Sequence, residues 1–425
     1  MQRTLFFIPH EIAGIPVLGF GWLLMFIVAA LLIRAWLARR NRQSVIEVLS
    51  GEGLIWLVAA IVVVFVLPKI ELTNLDGEPV GMAIRGYGVM LLAGVGTAVG
   101  LAAYRAKRRG IDPEIIYSMA PWAFFGGILG ARLFFVVQYR DRFITDSLQQ
   151  TIGNMLDFTG GGLVVYGSFI GGFIAVSYYI IRHKLPLLTF GDVIVPCMFI
   201  GVFFGRVGCL MNGCCYGGQC EQNWAAIEFP PNSPVYTDQL RSGDLLGFTY
   251  DAATGRIDSV REGSLAAQAE FQVGDRLDDF TDDLTPLENA SRDIPQEDAR
   301  TGVIVTVEGQ RHRWGPSELP DRARPVYAAQ LLSSVCSLVL CLLLCGLSWF
   351  NFREGTVMML GFASYAVLRF VLELVRVDEA GQFGTNLSIS QWVSVFVFFA
   401  SMAGLWWIHR SPRPPQLQTQ VSSGT

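Results

Sequence analysis

Met358-Met-Leu-Gly-Phe-Ala-Ser-Tyr-Ala-Val-Leu-Arg-Phe-Val-Leu-Glu-Leu-Val375 is an apolar run long enough to cross a bilayer, yet it carries Arg369 and Glu373. A charge at the centre of such a helix costs about 3 kcal/mol on insertion scales, so its presence needs a reason. Residues four apart share one helix face, and this pair can point together into a polar cavity. Two readings fit: an ion pair that locks helices together, or part of a site for a charged guest. Arg132 and Arg206 also sit within or at the ends of apolar runs. Several cations at membrane depth point to an anionic guest. In a bilayer that guest is most simply a lipid phosphate.

The rest of the chain agrees with a membrane setting. It is 52% hydrophobic and only 16% charged, with a mean hydropathy of +0.42. Apolar runs recur at 17–37, 53–68, 84–104, 117–138, 161–181, 188–205, 328–349, 356–375 and 388–408. An all-α polytopic protein of about nine transmembrane helices is therefore expected. Basic residues follow alternate runs: Arg39, Arg40 and Arg42; Arg105, Lys107, Arg108 and Arg109; Arg182 and Lys184; Arg353; Arg410 and Arg413. By the positive-inside rule these five sites are cytoplasmic, which puts the N-terminus outside and the C-terminus inside. No small-residue cleavage site follows a short apolar core near Arg3, so the N-terminus is expected to be retained. The tail 411–425, rich in Pro, Gln and Ser, reads as a disordered cytoplasmic end.

Hydrophobicity collapses across 219–325, which holds 20 of the 36 acidic residues against ten Lys and Arg. This is a soluble, acidic, extracytoplasmic head, and its charge disfavours nucleic acid and anionic lipid as partners. Leu245-Leu-Gly-Phe-Thr-Tyr250, Gly255-Arg-Ile-Asp-Ser-Val260, Gly263-Ser-Leu-Ala-Ala267, Phe271-Gln-Val-Gly-Asp-Arg-Leu277 and a late strand over Gly302–Val307 follow in that order. The order resembles a PDZ domain over about residues 238–310. The resemblance implies a peptide added to a sheet edge, with its terminal carboxylate on loop N–H groups. A β-rich lid that kept the fold and lost the groove fits the same residues.

Gly205-Arg-Val-Gly-Cys-Leu-Met-Asn-Gly-Cys-Cys-Tyr-Gly217 emerges on the outer side after the sixth run. Its glycines allow close backbone approach to a ligand, Arg206 can hold two phosphate oxygens, and Asn212 offers a donor and an acceptor. A Gly-rich turn with a snorkelling Arg is the plainer reading. Cys209, Cys214, Cys215 and Cys220 crowd here on the oxidising side, so disulfides are expected, with a pairing that sequence does not give. The Cys-x4-Cys-Cys-x4-Cys spacing lacks the paired Cys-x-x-Cys knuckles of familiar zinc sites, so no metal is the expectation; a metal site, and redox catalysis at adjacent Cys214 and Cys215, are the alternatives behind a disulfide. Cys197, Cys336, Cys341 and Cys345 lie in apolar runs and read as packing residues.

Five passages together resemble the prolipoprotein diacylglyceryl transferase family. They are Ile84-Arg-Gly-Tyr-Gly-Val-Met90, Gly126-Gly-Ile-Leu-Gly-Ala-Arg-Leu133, Gly160-Gly-Gly-Leu-Val-Val-Tyr-Gly-Ser-Phe-Ile-Gly171, Gly205–Gly217, and Arg369-x-x-x-Glu373-x-x-Arg376-x-Asp378. Gln330 and Gln391 fall where that family tends to have glutamines. The resemblance divides the chain into an N-terminal extension with two spans (1–83), a first part of the core (84–218), the head (219–325), and a second part of the core (326–410), giving seven core spans. There are departures. Tyr166 stands where the family usually has His, Cys209 where it has Asn, and Cys214 near a usual acid. Tyr327-Ala-Ala-Gln-Leu-Leu332 is a degraded form of a His-Pro-x-Gln-Leu-Tyr motif.

The resemblance implies transfer of a diacylglyceryl group from phosphatidylglycerol to the lipobox cysteine of preprolipoproteins in the bacterial inner membrane, without metal or organic cofactor. Arg206 is then expected on the lipid phosphate, and Arg369 is expected to support the charge that develops. Glu373 orients Arg369 or receives the thiol proton. Tyr87 and Asn212 are expected to bond glycerol or phosphate oxygens, with Gly217 allowing close approach. Tyr166, with a phenol pKa near ~10, is a poor base unless cations lower it. Arg132 holds a headgroup or a helix end. His10, His183, His312 and His409 read as surface residues. A non-catalytic lipid-binding scaffold that recruits proteins through the head is the alternative. A zinc intramembrane protease is excluded by the lack of His-Glu-x-x-His.

Overall fold

The computed structural model describes residues 3–411 apart from 41–55, 75–76, 141–142, 144–146, 157–161, 163, 224, 252, 284–301, 351, 376–384 and 386. Arg376, Asp378, Gly160, Gly161 and the tail beyond Ser411 lie outside the described residues.

The apolar runs form α1 (Trp22–Arg40), α2 (Trp56–Lys69), α3 (Gly86–Arg108) and α4 (Pro113–Gln138). A short α5 (Leu148–Leu156) leads to α6 (Val165–Arg182) and α7 (Leu187–Asn212). Two small helices, α8 (Pro234–Arg241) and α9 (Leu265–Gln268), precede α10 (Ala329–Leu347), α11 (Thr356–Val375) and α12 (Ile389–Arg410). Seven of these are long and apolar enough to cross a membrane, while α2 and α6 are shorter apolar helices. Within α2 the winding loosens to a π turn over Val62–Val66 and then tightens to 3-10 over Leu67–Lys69. Pro68 lacks the N–H that a regular helix needs there.

Two compact units result, one of residues 1–89 with 208–328 and the other of 90–207 with 329–425. In the first, β1 (Thr4–Pro9) pairs antiparallel with β5 (Pro79–Arg85) and sets Thr4 opposite Arg85, while β4 (Leu72–Thr73) flanks β5 on its other edge. The short hairpin β2 (Glu11–Ile12) and β3 (Ile15–Pro16) follows β1. These strands stand beside the two apolar helices read for the N-terminal extension. The pairing joins segments far apart in sequence, and six residues of β1 carry no periodic signal of their own.

The head belongs to the same unit. β6 (Ala226–Ile227) pairs with β12 (Val326–Tyr327) and closes its base. Gln239 reinforces that closure by donating to Arg324 O at 3.1 Å and accepting from Arg324 N–H at 2.7 Å. β7 (Phe248–Asp251) and β8 (Arg256–Val260) form a hairpin, and β9 (Leu277–Asp283), β10 (Gly302–Val307) and β11 (Gln310–Trp314) form an antiparallel sheet in the order β11-β10-β9. Phe229, Val235, Leu246, Phe248, Ile257 and Val303 are each at most 1% exposed and make one continuous apolar core.

In the second unit α4 and α6 pack through glycine. A Cβ on Gly130 would stand 2.3 Å from Gly167 O, and one on Gly171 would stand 2.2 Å from Gly126 O. These are two Gly-x-x-x-Gly patterns face to face, the arrangement that lets membrane helices approach at backbone distance. Asp192 of α7, 2% exposed, accepts from the N–H groups of Gly355 and Met358 at 2.8 Å each. It thereby satisfies donors at the start of α11 that no intrahelical carbonyl can reach. Arg105 of α3 donates to the carbonyls of Asp192 (2.7 Å) and Val193 (3.1 Å) and ties the same end together. Arg108 lies over Tyr104 and Trp349, and Arg410 over Trp406, pairings suited to a membrane interface.

Candidate active site

On α11, Arg369 Nη1 and Glu373 Oε2 meet at 2.5 Å, with side chains 16% and 4% exposed. The helical repeat brings them together, and α12 holds them. Arg369 Nη2 donates to Ser390 Oγ at 2.9 Å, and Ser388 Oγ donates to Glu373 Oε1 at 3.2 Å. Ser388 is also the N-cap of α12: its Oγ accepts from Gln391 N–H, and Gln391 Oε1 accepts from Ser388 N–H. One serine therefore starts a helix and anchors the buried acid. Ser388, Ser390, Gln391 and Ser394 are all buried and make a polar seam along an otherwise apolar helix. Sequence reading missed these serines, although Ser388-Ile-Ser-Gln391 ahead of an apolar run is a capping-box pattern that could have found Ser388.

Val335 and Val339 of α10, Ala363, Val367 and Val371 of α11, and Phe398 of α12 line an apolar groove of about 570 Å³. Gln330, fully buried, sits in the first turn of α10. Arg206 lies on α7, half-buried, and has no hydrogen-bond or ion-pair partner among the described residues.

The turn after α7 belongs to the first unit. Gly213 N–H and Cys214 N–H both donate to Cys209 O, at 2.9 and 3.1 Å, and Gly213 has φ +75°. This is a Schellman cap, the usual way to end a helix on a left-handed glycine. Asn212 is the last helical residue, and its Oδ1 accepts from Arg3 Nε at 3.3 Å. Arg3 arrives from the strand side, where its carbonyl accepts from Gly86 N–H at 3.0 Å. A Cβ on Gly86 would stand 2.5 Å from Met211 Cε, so glycine is needed for this approach. Tyr87, the next residue, is 38% exposed. Gly217 is buried and donates its N–H to Tyr327 O at 2.9 Å. Arg3 had no role in the sequence reading, because its partner is 209 positions away.

Arg132 is 6% exposed and is held by backbone. Its Nε donates to Met155 O (2.8 Å), Nη2 to Asn154 O (2.9 Å) and Nη1 to Gly162 O (3.2 Å), while Phe135 and Phe143 flank it. Met155 and Asn154 end α5, where carbonyls have no intrahelical partner. Tyr166 lies in the first turn of α6. Of the histidines, His10 meets Glu71 at 2.6 Å, His183 lies against Tyr179, His312 packs between Phe271 and Trp314, and His409 bonds its own helix at Leu405 O.

No two of the eight cysteines are joined by a disulfide in the structure. Cys209, Cys214 and Cys215 form a group with sulfurs within 4.8 Å of one another, and Cys220 is not part of it.

Fold and site together define a mostly helical, polytopic membrane protein with paired charges buried between apolar helices. The family model for prolipoprotein diacylglyceryl transferase matches residues 78–407, and the chain belongs to that family. It is 43% identical to a phosphatidylglycerol–prolipoprotein diacylglyceryl transferase of Rhodopirellula baltica, over 95% of this chain and 89% of that protein. Shorter stretches match enzymes of the same name. One from Clostridium tetani is 37% identical over 33% of this chain and 54% of its own length. One from Clostridium perfringens is 29% identical over 39% and 65%.

Proposed function

We infer that this chain transfers the diacylglyceryl group of phosphatidylglycerol to the lipobox cysteine of preprolipoproteins. The carrying observation is the buried Arg369–Glu373 pair, tied to α12, inside a chain that resembles a named transferase over nearly its whole length. In the reaction the cysteine sulfur attacks the terminal glyceryl carbon, the carbon–oxygen bond to phosphate breaks, and glycerol phosphate leaves with the electron pair. The thiol proton must go to a base, because a free thiol with a pKa near ~8.5 is mostly protonated at neutral pH. Preorganised cations in a poorly hydrated site stabilise the departing phosphate.

Arg206, with no protein partner among the described residues, is assigned to the lipid phosphate. Arg369 supports the developing charge, and Glu373, held by Ser388, orients Arg369 or accepts the proton. Tyr87, Asn212 and Gly217 serve the glycerol and phosphate oxygens, and Tyr166 takes the position of the family histidine. Arg132 is proposed as a headgroup contact only through water or motion, since backbone carbonyls already engage it. The apolar groove between α10, α11 and α12 suits an acyl chain.

The N-terminus and head are assigned to the outer side and the C-terminus to the cytoplasm. For the head, the order of hairpin, short helix and antiparallel sheet supports a PDZ-like reading. Gly247 and Phe248 both donate their N–H groups to Gly243 O, which counts against a carboxylate-binding loop there. The head is proposed to present substrate segments by another edge.

The test is direct. Purified protein is mixed with phosphatidylglycerol and a lipobox peptide, and the diacylglyceryl adduct is sought by mass spectrometry. Loss of the adduct with Arg206→Ala, and with Cys→Ser in the peptide, is the expected result. Bound phosphatidylglycerol without any adduct would favour the scaffold reading.

A further inference from the structure

The thiols beside Asn212 have a geometry that the transfer reaction leaves unused. In a Schellman cap the third residue before the cap and the second after it face each other. Here those residues are Cys209 and Cys214, so the backbone itself brings their sulfurs together. Cys215 follows with φ +58°, uncommon for any residue but glycine. All three sulfurs consequently lie within 4.8 Å of one another.

Three mutually adjacent thiols suit a metal better than a disulfide, which would join two and leave the third over. At zinc–sulfur distances of about 2.3 Å, sulfurs around a trigonal centre stand roughly 4 Å apart, so small side-chain rotations suffice. Three thiolates are a soft donor set that selects Zn(II) or Cu(I) over hard cations. Asn212, which lies between Cys209 and Cys214 in the turn, accepts at its Oδ1 from the Arg3 guanidinium at 3.3 Å.

We propose that Cys209, Cys214 and Cys215 form a three-thiolate site for a soft d10 cation, Zn(II) or Cu(I), that braces the turn carrying Asn212. The site stands apart from the transferase reading, and either can fail without the other.

The full chain, purified in detergent and fully reduced, is titrated with Co(II) as a spectroscopic probe. Thiolate-to-cobalt charge-transfer bands saturating at one ion per chain, and bleached by Zn(II), are expected. Serine at Cys209, Cys214 or Cys215 should abolish the bands, while Cys220→Ser should keep them. A readout on the unmodified protein guards against misfolded variants: Zn(II) should slow alkylation of these three cysteines at least tenfold and leave Cys220 unchanged, as read by peptide mass spectrometry. Absence of the bands after full reduction would overturn the proposal. So would bands that survive the triple serine variant, or a disulfide joining two of the three in protein isolated with zinc and without reductant.

Discussion

Arg132 and Arg206 look alike in the sequence, each a cation at the edge of an apolar run, and the structure gives them opposite surroundings. Arg132 has its guanidinium on three backbone carbonyls. Removing it strands buried acceptors, so Arg132→Ala should cost about 3 kcal/mol and lower the melting temperature in detergent. Arg206 has no such partners among the described residues, and Arg206→Ala should leave the melting temperature within a degree or two while reducing transfer by roughly 10²–10³-fold. An Arg206→Ala protein that unfolds early would show that the residue is structural. Glu373→Gln keeps the shape of the side chain and removes the countercharge of Arg369, so it separates charge from packing. Transfer rate should fall by roughly 100-fold, and the melting temperature should fall too, because Arg369 loses its buried countercharge. Both arginines were legible as candidates from their apolar context. Their difference was not, because it depends on which carbonyls the fold delivers.

At the scale of elements, helix contacts are set by glycine and by one buried acid. Gly171→Ala would force a Cβ against Gly126 O and Gly130 Cα, and should destabilise by about 1–3 kcal/mol. Gly96→Ala and Gly100→Ala meet nothing within 4 Å and should be neutral or slightly stabilising. Equal effects at all three positions would rule out backbone-distance packing of α4 on α6. Asp192→Ala leaves two N–H groups at the start of α11 without their acceptor and should lower stability by about 2 kcal/mol. Each of the nine apolar runs falls on a helix, and seven of those helices are long and apolar enough to cross a membrane, because the hydropathy of a span is a property of neighbours along the chain. The β1–β5 pairing and the polar seam on α12 were not, since each joins residues by contact rather than by period.

For the whole molecule, the basic residues that close α1, α3, α6 and α12 make a topology that reporter fusions can check. A cytoplasmic reporter at the C-terminus should be active, and one inserted in the head should not. Deleting 238–310 should reduce transfer to some preprolipoproteins more than to a short lipobox peptide. Uniform rates across all substrates would remove substrate presentation as the head's role.

The sequence by itself determined the membrane setting, the helix positions, the acidic head and the identity of the charged residues, because hydropathy, helical period and charge are properties of neighbours along the chain. Only the tertiary structure decided which cation is clamped and which is open, that Arg3 meets Asn212, and that three of four clustered cysteines share one point. The first two rest on contacts between distant segments, and the third on a helix cap whose geometry the residue pattern alone did not disclose.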